Sequence, residues 1–409
     1  MKAKHFFIIF FFVVAACKPT QKLSNEKEEP VVLLISIDGF RYDYMKKIKI
    51  PGINEISIGV EADWMTPSFP SKTFPNHYTI VTGLYPEHHG IVANTMYDEK
   101  FNAVYRISDA KEKNNTRWWG GEPIWVTAGK QGLKSGCFFW PGSEVAIQNI
   151  RPHYWKDYDH NFPNKNRVDT ILSWIDKPTL ERPQFMSLYF SDVDDAGHTF
   201  GPDSKQVIQA IQKVDSSIQY LISELKNRNQ FNKINIVLVS DHGMKNTDTT
   251  KINFIDDYIN MNWCKQAFLD EVSLIYPKEG KEDSIMQAFE SNPHPEFEVY
   301  RKKDISERFH YNSNNRIAPI VIITKAGWKN TTHSFFEKSK GKWSLGSHGW
   351  DNKDEDMRAI FYAHGPAFKN NFKANAFENV NVYNILCKIL KIKPATNDGN
   401  DKTVFKMLR

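Results

Sequence analysis

Apolar runs of strand length alternate along this chain with stretches whose apolar residues recur at helical spacing. Val31 to Ile37, Met186 to Ser191 and Ile234 to Ser240 are mostly apolar runs, the pattern of strands covered on both faces. Between Ser204 and Lys226 the residues Val207, Ile208, Ile211, Val214, Ile218, Leu221, Ile222 and Leu225 form one stripe, which predicts a long amphipathic helix. Shorter helices are predicted at Ile48–Gly59, at Val168–Ile175, from Asn76 to Thr82 before Gly83 and Pro86, and at Asn379–Ile392 as a closing element. The alternation predicts an α/β fold with a mostly parallel central sheet and helices on both faces. Lys251 to Leu345 departs from it, with shorter apolar runs and loop clusters such as Asn312-Ser313-Asn314-Asn315. It is predicted to be a smaller inserted α+β lobe, which divides the main domain into 31–250 and 346–409.

The apolar runs end in residues that bind cations. Asp38 follows the first, Asp194 and His198 follow the second, and Asp241-His242 follow the third. His348 sits in Gly346-Ser347-His348-Gly349. One such Asp is commonly a helix cap. Several delivered to the carboxyl edge of one parallel sheet, where ligands gather, point instead to a metal centre. Gly197 is expected to bend a loop so that Asp194 and His198 reach one ion, and Gly243 to permit a tight turn for Asp241 and His242. Asp195 is expected to solvate that loop or support a ligand. Thr73 follows a proline-stiffened approach and opens a helix, where backbone N–H groups favour negative charge. A hydroxyl there is either an N-cap or a nucleophile, and a nucleophile needs help from a base or metal. Lys72 is expected to face solvent.

The 409 residues, 41% hydrophobic and 13% aromatic, exclude a disordered chain and allow a large domain with insertions. Residues 1–16 read as a signal peptide: Lys2 and Lys4 precede an apolar run from Phe6 to Ala16, shorter than the about 20 residues of a membrane span. Losing them lowers the formal charge of +5 by two, too little to argue for nucleic-acid binding, and none specific is expected. Val14-Ala15-Ala16-Cys17 resembles a bacterial lipobox, which implies cleavage before Cys17, lipid on that residue and a membrane-anchored protein of the cell envelope, periplasmic or at the cell surface. Residues 17–30 would be a polar tether. Of the remaining Cys137, Cys264 and Cys387, one pair at most can bridge, and none has zinc-finger spacing.

Asp38-Gly39, Lys72-Thr73-Phe74-Pro75-Asn76-His77, His89-Gly90-Ile91-Val92-Ala93-Asn94, Asp194 to Pro202, Ser240-Asp241-His242-Gly243 and Gly346-Ser347-His348-Gly349 occur in one order. Taken together they resemble the nucleotide pyrophosphatase/phosphodiesterases of the alkaline phosphatase superfamily, over nearly the whole chain after Val31. The resemblance implies an alkaline-phosphatase-like fold and two zinc ions, one on Asp194, His198 and His348 and the other on Asp38, Thr73, Asp241 and His242. It implies Thr73 as nucleophile, with the Phe74 backbone N–H and the Asn94 side chain as donors to phosphate oxygens. Phe74, Tyr158 and Tyr189 are the corresponding candidates for stacking a nucleotide base. The same ligands suit manganese or iron.

The residues flanking Thr73 supply no arginine clamp of the kind a phosphomonoesterase would need, and no C/S-x-P-x-R sulfatase motif is present. Cleavage of nucleotide diesters and pyrophosphates to nucleoside 5′-monophosphates is therefore the leading expectation. Two alternatives are a choline or lysophospholipid phosphodiesterase, with Trp118, Trp119, Trp125 and Trp140 as aromatics for a quaternary ammonium, and an inactive tethered binding protein.

Overall fold

The computed structural model describes Met1 and residues 29–339 and 343–409. Residues 2–16 of the expected signal peptide, Cys17 and nearly all of the tether lie outside these residues. The central sheet contains β1 (Val31–Ile37), β2 (Val60–Ala62), β3 (Ser135–Phe138), β4 (Tyr154–Lys156), β5 (Phe185–Phe190), β6 (Ile234–Val239), β7 (Phe361–His364) and β8 (Phe372–Ala374). Their spatial order is β8-β2-β7-β6-β1-β5-β3-β4. β1 pairs in parallel with β5 and β6, and β3 with β4 and β5. Only β7 runs antiparallel to its neighbours, so the sheet is mostly parallel, as expected.

The helices that matter here are α1 (Pro51–Ser57), α2 (Thr73–Thr82), α3 (Asn164–Ile175), α4 (Asp192–Phe200), α5 (Lys205–Asn227) and α6 (Val382–Leu390). Alternate β1 residues enter two separate cores. Val32 and Leu34 pack with residues of α2 and α6, while Leu33 and Ile35 pack with residues of α1, α3 and α5. Every β1 residue is buried, which is why its sequence shows no polar alternation. The predicted stripe on α5 is buried except at Ile208, which is exposed. Ser204 caps that helix by accepting from the Val207 N–H. The predicted Ile48–Gly59 helix is confined to α1, because Gly59 lies against the Ala363 carbonyl where β2 begins.

Within 251–345, Cys264–Phe268, Val272–Pro277, Ile320–Thr324 and Phe297–Arg301 form a separate antiparallel sheet in that order. The helix Glu282–Glu290 covers one face through Ile285, Met286 and Phe289. Leu274, Tyr276 and Val321 on the other face join the core that includes Phe69 and Tyr97. This second sheet therefore shares apolar packing with the segment that leads to Thr73. Cys137, Cys264 and Cys387 are all free thiols, so no disulfide forms among the described residues. Burial pushes Cys137 and Cys387 up to about 12, which makes them inert packing residues.

Candidate active site

Because β5, β1 and β6 are adjacent and parallel, their carboxyl ends deliver Asp194, Asp38 and Asp241 to one edge. Asp194 and His198 are reached differently from the expectation. They lie one turn apart on α4, so helical spacing, not a bend at Gly197, places them together. Gly243 is likewise needed for space: a Cβ there would meet the Asp356 carbonyl at 2.1 Å. Gly39 does require its freedom. Its φ is +67°, a Cβ would lie 3.0 Å from Asp194 Oδ1, and its N–H donates to Asp241 Oδ1. Arg41 anchors the same edge by donating to the Met244 carbonyl and to Asp43 and Asp203.

The imidazoles of the three candidate ligands His198, His242 and His348 are oriented alike. Nδ1 of His198 meets the Gly346 carbonyl at 2.9 Å, that of His242 the Gly243 carbonyl at 2.8 Å, and that of His348 the Ser71 carbonyl at 2.8 Å. A carbonyl only accepts, so each Nδ1 carries the proton and each Nε2 faces the carboxylates. His242 Nε2 lies 3.4 Å from Asp38 Oδ1 and 2.9 Å from Asp241 Oδ2. His198 Nε2 lies 3.4 Å from Asp194 Oδ2, and His348 Nε2 3.7 Å from Asp194 Oδ1. Yet Asp38 Oδ1, Asp194 Oδ1 and Asp241 Oδ2 are buried without an aligned hydrogen bond. Converging lone pairs with no donor between them are what a cation cures. Asp194, His198 and His348 form one potential ligand group; Asp38, Asp194 and His242 form a second; Asp38, His77 and Asp241 form a third. The donor set fits divalent metal binding, and Asp194 is shared by two of the groups.

Charge follows the same logic. Burial, Asp241 and Asp194 together push the Asp38 carboxyl well above its usual range. Burial pushes the Asp241 carboxyl up too, but His242 and His77 outweigh it and hold that group low. Burial, His242 and His198 drive His348 well below the usual imidazole range, which keeps it neutral as a ligand must be.

Thr73 begins α2, and Lys72 is the N-cap residue, so Thr73 is not the cap. Its hydroxyl instead points to the centre, 3.2 Å from His242 Nε2. Asn94 Oδ1 accepts the Phe74 N–H at 3.1 Å, so the two expected phosphate donors are bonded to each other. That bond occupies the Asn94 carbonyl oxygen and leaves its amide nitrogen as the group that can donate. Beside Thr73, a cavity of about 210 Å³ is lined by Phe74, Phe139, Tyr158, Tyr189, Lys113 and Glu144 among others. Tyr189 is largely committed, since its hydroxyl donates to Asp38 Oδ2 at 2.6 Å. Lys113 pairs with Glu144 at 3.0 Å, and Glu144 accepts the Tyr158 N–H.

Residues 32–351 match the family described as type I phosphodiesterase / nucleotide pyrophosphatase. The chain belongs to this family. Ectonucleotide pyrophosphatase/phosphodiesterase family member 3 of Bos taurus is 40% identical over 390 residues, covering 93% of this chain and 44% of that protein. Venom phosphodiesterase 2 of Crotalus adamanteus is 38% identical over 395 residues, covering 93% of this chain and 48% of its own length. The chain thus spans about half the length of these relatives. Murine ectonucleotide pyrophosphatase / phosphodiesterase 5, solved as an inactive threonine-to-alanine variant with AMP, superposes with a TM-score of 0.87 at 35% identity, over 93% of this chain and 100% of that one. The α/β, alkaline-phosphatase-like fold expected from the motifs is the fold of the family.

Within this family member, several side chains near the site were not singled out from sequence. His77, one turn after Thr73 on α2, bonds Ser36 Oγ and the Thr73 carbonyl and lies 3.2 Å from Asp241 Oδ2, within the third potential ligand group. Phe139, Lys113 and Glu144 line the cavity from scattered segments with no local signal. Trp118, Trp119 and Trp125 are buried in the core, whereas Trp140 lines the cavity beside Thr73 while donating its indole N–H to the His77 carbonyl. Asp195 stays outside every ligand group, 3.7 Å from His160. Lys72 overturns its expectation. It is buried, and its ammonium pairs with Asp270 at 2.6 Å and with Glu271. An ammonium can leave water there only because two carboxylates from the second sheet meet it.

Proposed function

We propose that this chain is a two-zinc phosphodiesterase and nucleotide pyrophosphatase that releases nucleoside 5′-monophosphates through a phosphothreonine intermediate. The observation that carries the reading is the Thr73 hydroxyl facing His242 at the junction of the ligand groups, with an aromatic cavity beside it. The AMP complex of the murine relative supports a nucleotide as the occupant of that cavity. Asp194, His198 and His348 would hold one ion, and Asp38, Asp241, His242 and Thr73 the other. When bound, the ions supply Lewis-acid stabilisation of the phosphate charge and lower the pKa of hydroxyl and water. The Thr73 oxygen displaces the leaving alcohol or phosphate at phosphorus, and water then cleaves the phosphothreonine. Asn94 donates its amide N–H to a non-bridging oxygen, which suits the single charge of a diester. Phe74 and Tyr158 hold the base by its faces.

The reading is tested by hydrolysis of p-nitrophenyl thymidine 5′-phosphate, p-nitrophenyl phosphate and p-nitrophenyl phosphorylcholine side by side. The nucleotide diester should be preferred strongly, because Phe74 and Tyr158 line the cavity beside Thr73 and offer aromatic faces to a base. A preference for phosphorylcholine would move the chain to the lipid branch of the family. Tyr158→Ala should raise KM for the nucleotide diester by roughly 5- to 100-fold, the range of one lost base stack. An unchanged KM would remove Tyr158 from the pocket.

Anchoring through lipid on Cys17 is part of the same proposal and rests on Val14-Ala15-Ala16-Cys17 alone. Cys17→Ser should shift activity from the membrane fraction to the soluble fraction of an expressing bacterium. Retention in the membrane fraction would argue against a lipid anchor at this residue.

A further inference from the structure

The Lys72 ion pair belongs to a larger cluster that bridges two parts of the site. Glu271 stands just before the Val272–Pro277 strand of the second sheet, and its side chain is fully buried. One carboxylate oxygen receives Lys72 Nζ. The other receives Ser347 Oγ and lies 2.9 Å from Lys329 Nζ. Lys72 immediately precedes Thr73, and Ser347 immediately precedes His348. The same two segments touch directly. His348 Nδ1 meets the Ser71 carbonyl, and Ser71 Oγ donates to the Trp350 carbonyl at 2.9 Å. Gly349 leaves room for the lysine stem, since a Cβ there would lie 2.3 Å from Lys72 Cε.

We propose that Glu271 is a positioning residue for catalysis, a single carboxylate that fixes the nucleophile segment 71–74 against the ligand segment 346–350 from a sheet outside the catalytic one. The inference rests on Thr73 being the nucleophile. Glu271 touches neither substrate nor ligand, and it acts only through Lys72 and Ser347. Asp270 and Lys329 balance the cluster's charge, so its geometry is a property of the inserted segment and not of the central sheet.

Two variants test this on the whole chain. Glu271→Gln keeps the shape but leaves one lysine uncompensated. The double variant Glu271→Leu with Lys329→Met removes the tether while restoring neutrality, which keeps the test valid if the first variant folds poorly. In both, kcat for p-nitrophenyl thymidine 5′-phosphate should fall about 10- to 100-fold, the usual cost of a misplaced reacting group, with KM within about threefold because the base cavity is separate. Backbone hydrogen exchange should quicken in 68–76 and 346–350 together while β5 stays protected. A double variant with parental kcat would overturn the proposal, leaving only charge balance. So would exchange that rises uniformly through the fold. Failure of the parent itself to cleave the diester would instead count against the proposed function, and the exchange experiment would still decide the role of Glu271.

Discussion

Thr73→Ala should lower turnover of a nucleotide diester by about 10⁴-fold or more, the scale seen when a covalent nucleophile is removed from a site whose other parts remain. The variant should fold normally. The Thr73 side chain caps no helix, and its hydroxyl contacts only the site, so its loss removes one part-buried polar contact and little packing. Melting temperature within a few degrees of the parent is the control that separates chemistry from folding. Acid quenching of the parent with a phosphorus-labelled diester should trap label on Thr73, and Thr73→Ser should retain part of the activity because it keeps the hydroxyl. Turnover by Thr73→Ala within tenfold of the parent would exclude the phosphothreonine route and point to direct attack by water.

Asp194→Ala should have the second largest effect, for a different reason. Asp194 belongs to two of the ligand groups, and its two oxygens face His198 and His348 respectively. Its loss should reduce bound zinc below two per chain and lower kcat by about 10³-fold, since metal stabilisation of phosphate charge is worth several kcal/mol. The stability change should reverse sign with metal. After chelation, Asp194 is one of three carboxylates crowded together, and it helps push the Asp38 carboxyl upward. Removing it relieves that repulsion, so the chelated variant should melt no lower than the chelated parent. With zinc added the parent should gain more, because only the intact ligand set binds the folded state tightly. Thermal scans of both proteins with zinc and with chelator check this. A parent whose melting temperature ignores zinc would contradict the metal centre itself.

The strand ends were legible in the sequence because the signals are local. Asp38, Asp194 and Asp241 each come after a run of apolar residues that cannot be anything but buried, and the residue after a buried parallel strand must emerge at the carboxyl edge. The prolines and the helix it opens left Thr73 as either a cap or a nucleophile, and only the resemblance to the family favoured the nucleophile. The routes were less clear. Asp194 and His198 fit either a bent loop or one helical turn, and the spacing alone allows both. Asn94 and the Phe74 N–H were expected as two separate phosphate donors, whereas they bond to each other and leave the Asn94 amide nitrogen to donate. Tyr189 lines the expected cavity, and its hydroxyl in addition donates to Asp38, a contact no local signal gave.

Sequence by itself determined the sheet and the edge at which Asp38, Asp194 and Asp241 stand, because those depend on burial period and on the residues just beyond each strand, while Thr73 and His348 became candidates through the family resemblance. Tertiary structure alone decided the protonated nitrogen of each histidine, which is set by carbonyls at Ser71, Gly243 and Gly346. It also decided the fate of Lys72. A lysine beside an active site reads as solvated until the chain, some two hundred residues later, brings Asp270 and Glu271 to meet it. Charge pairing across that distance leaves no periodicity in the sequence, since it depends on how two sheets pack and not on the neighbours of either residue.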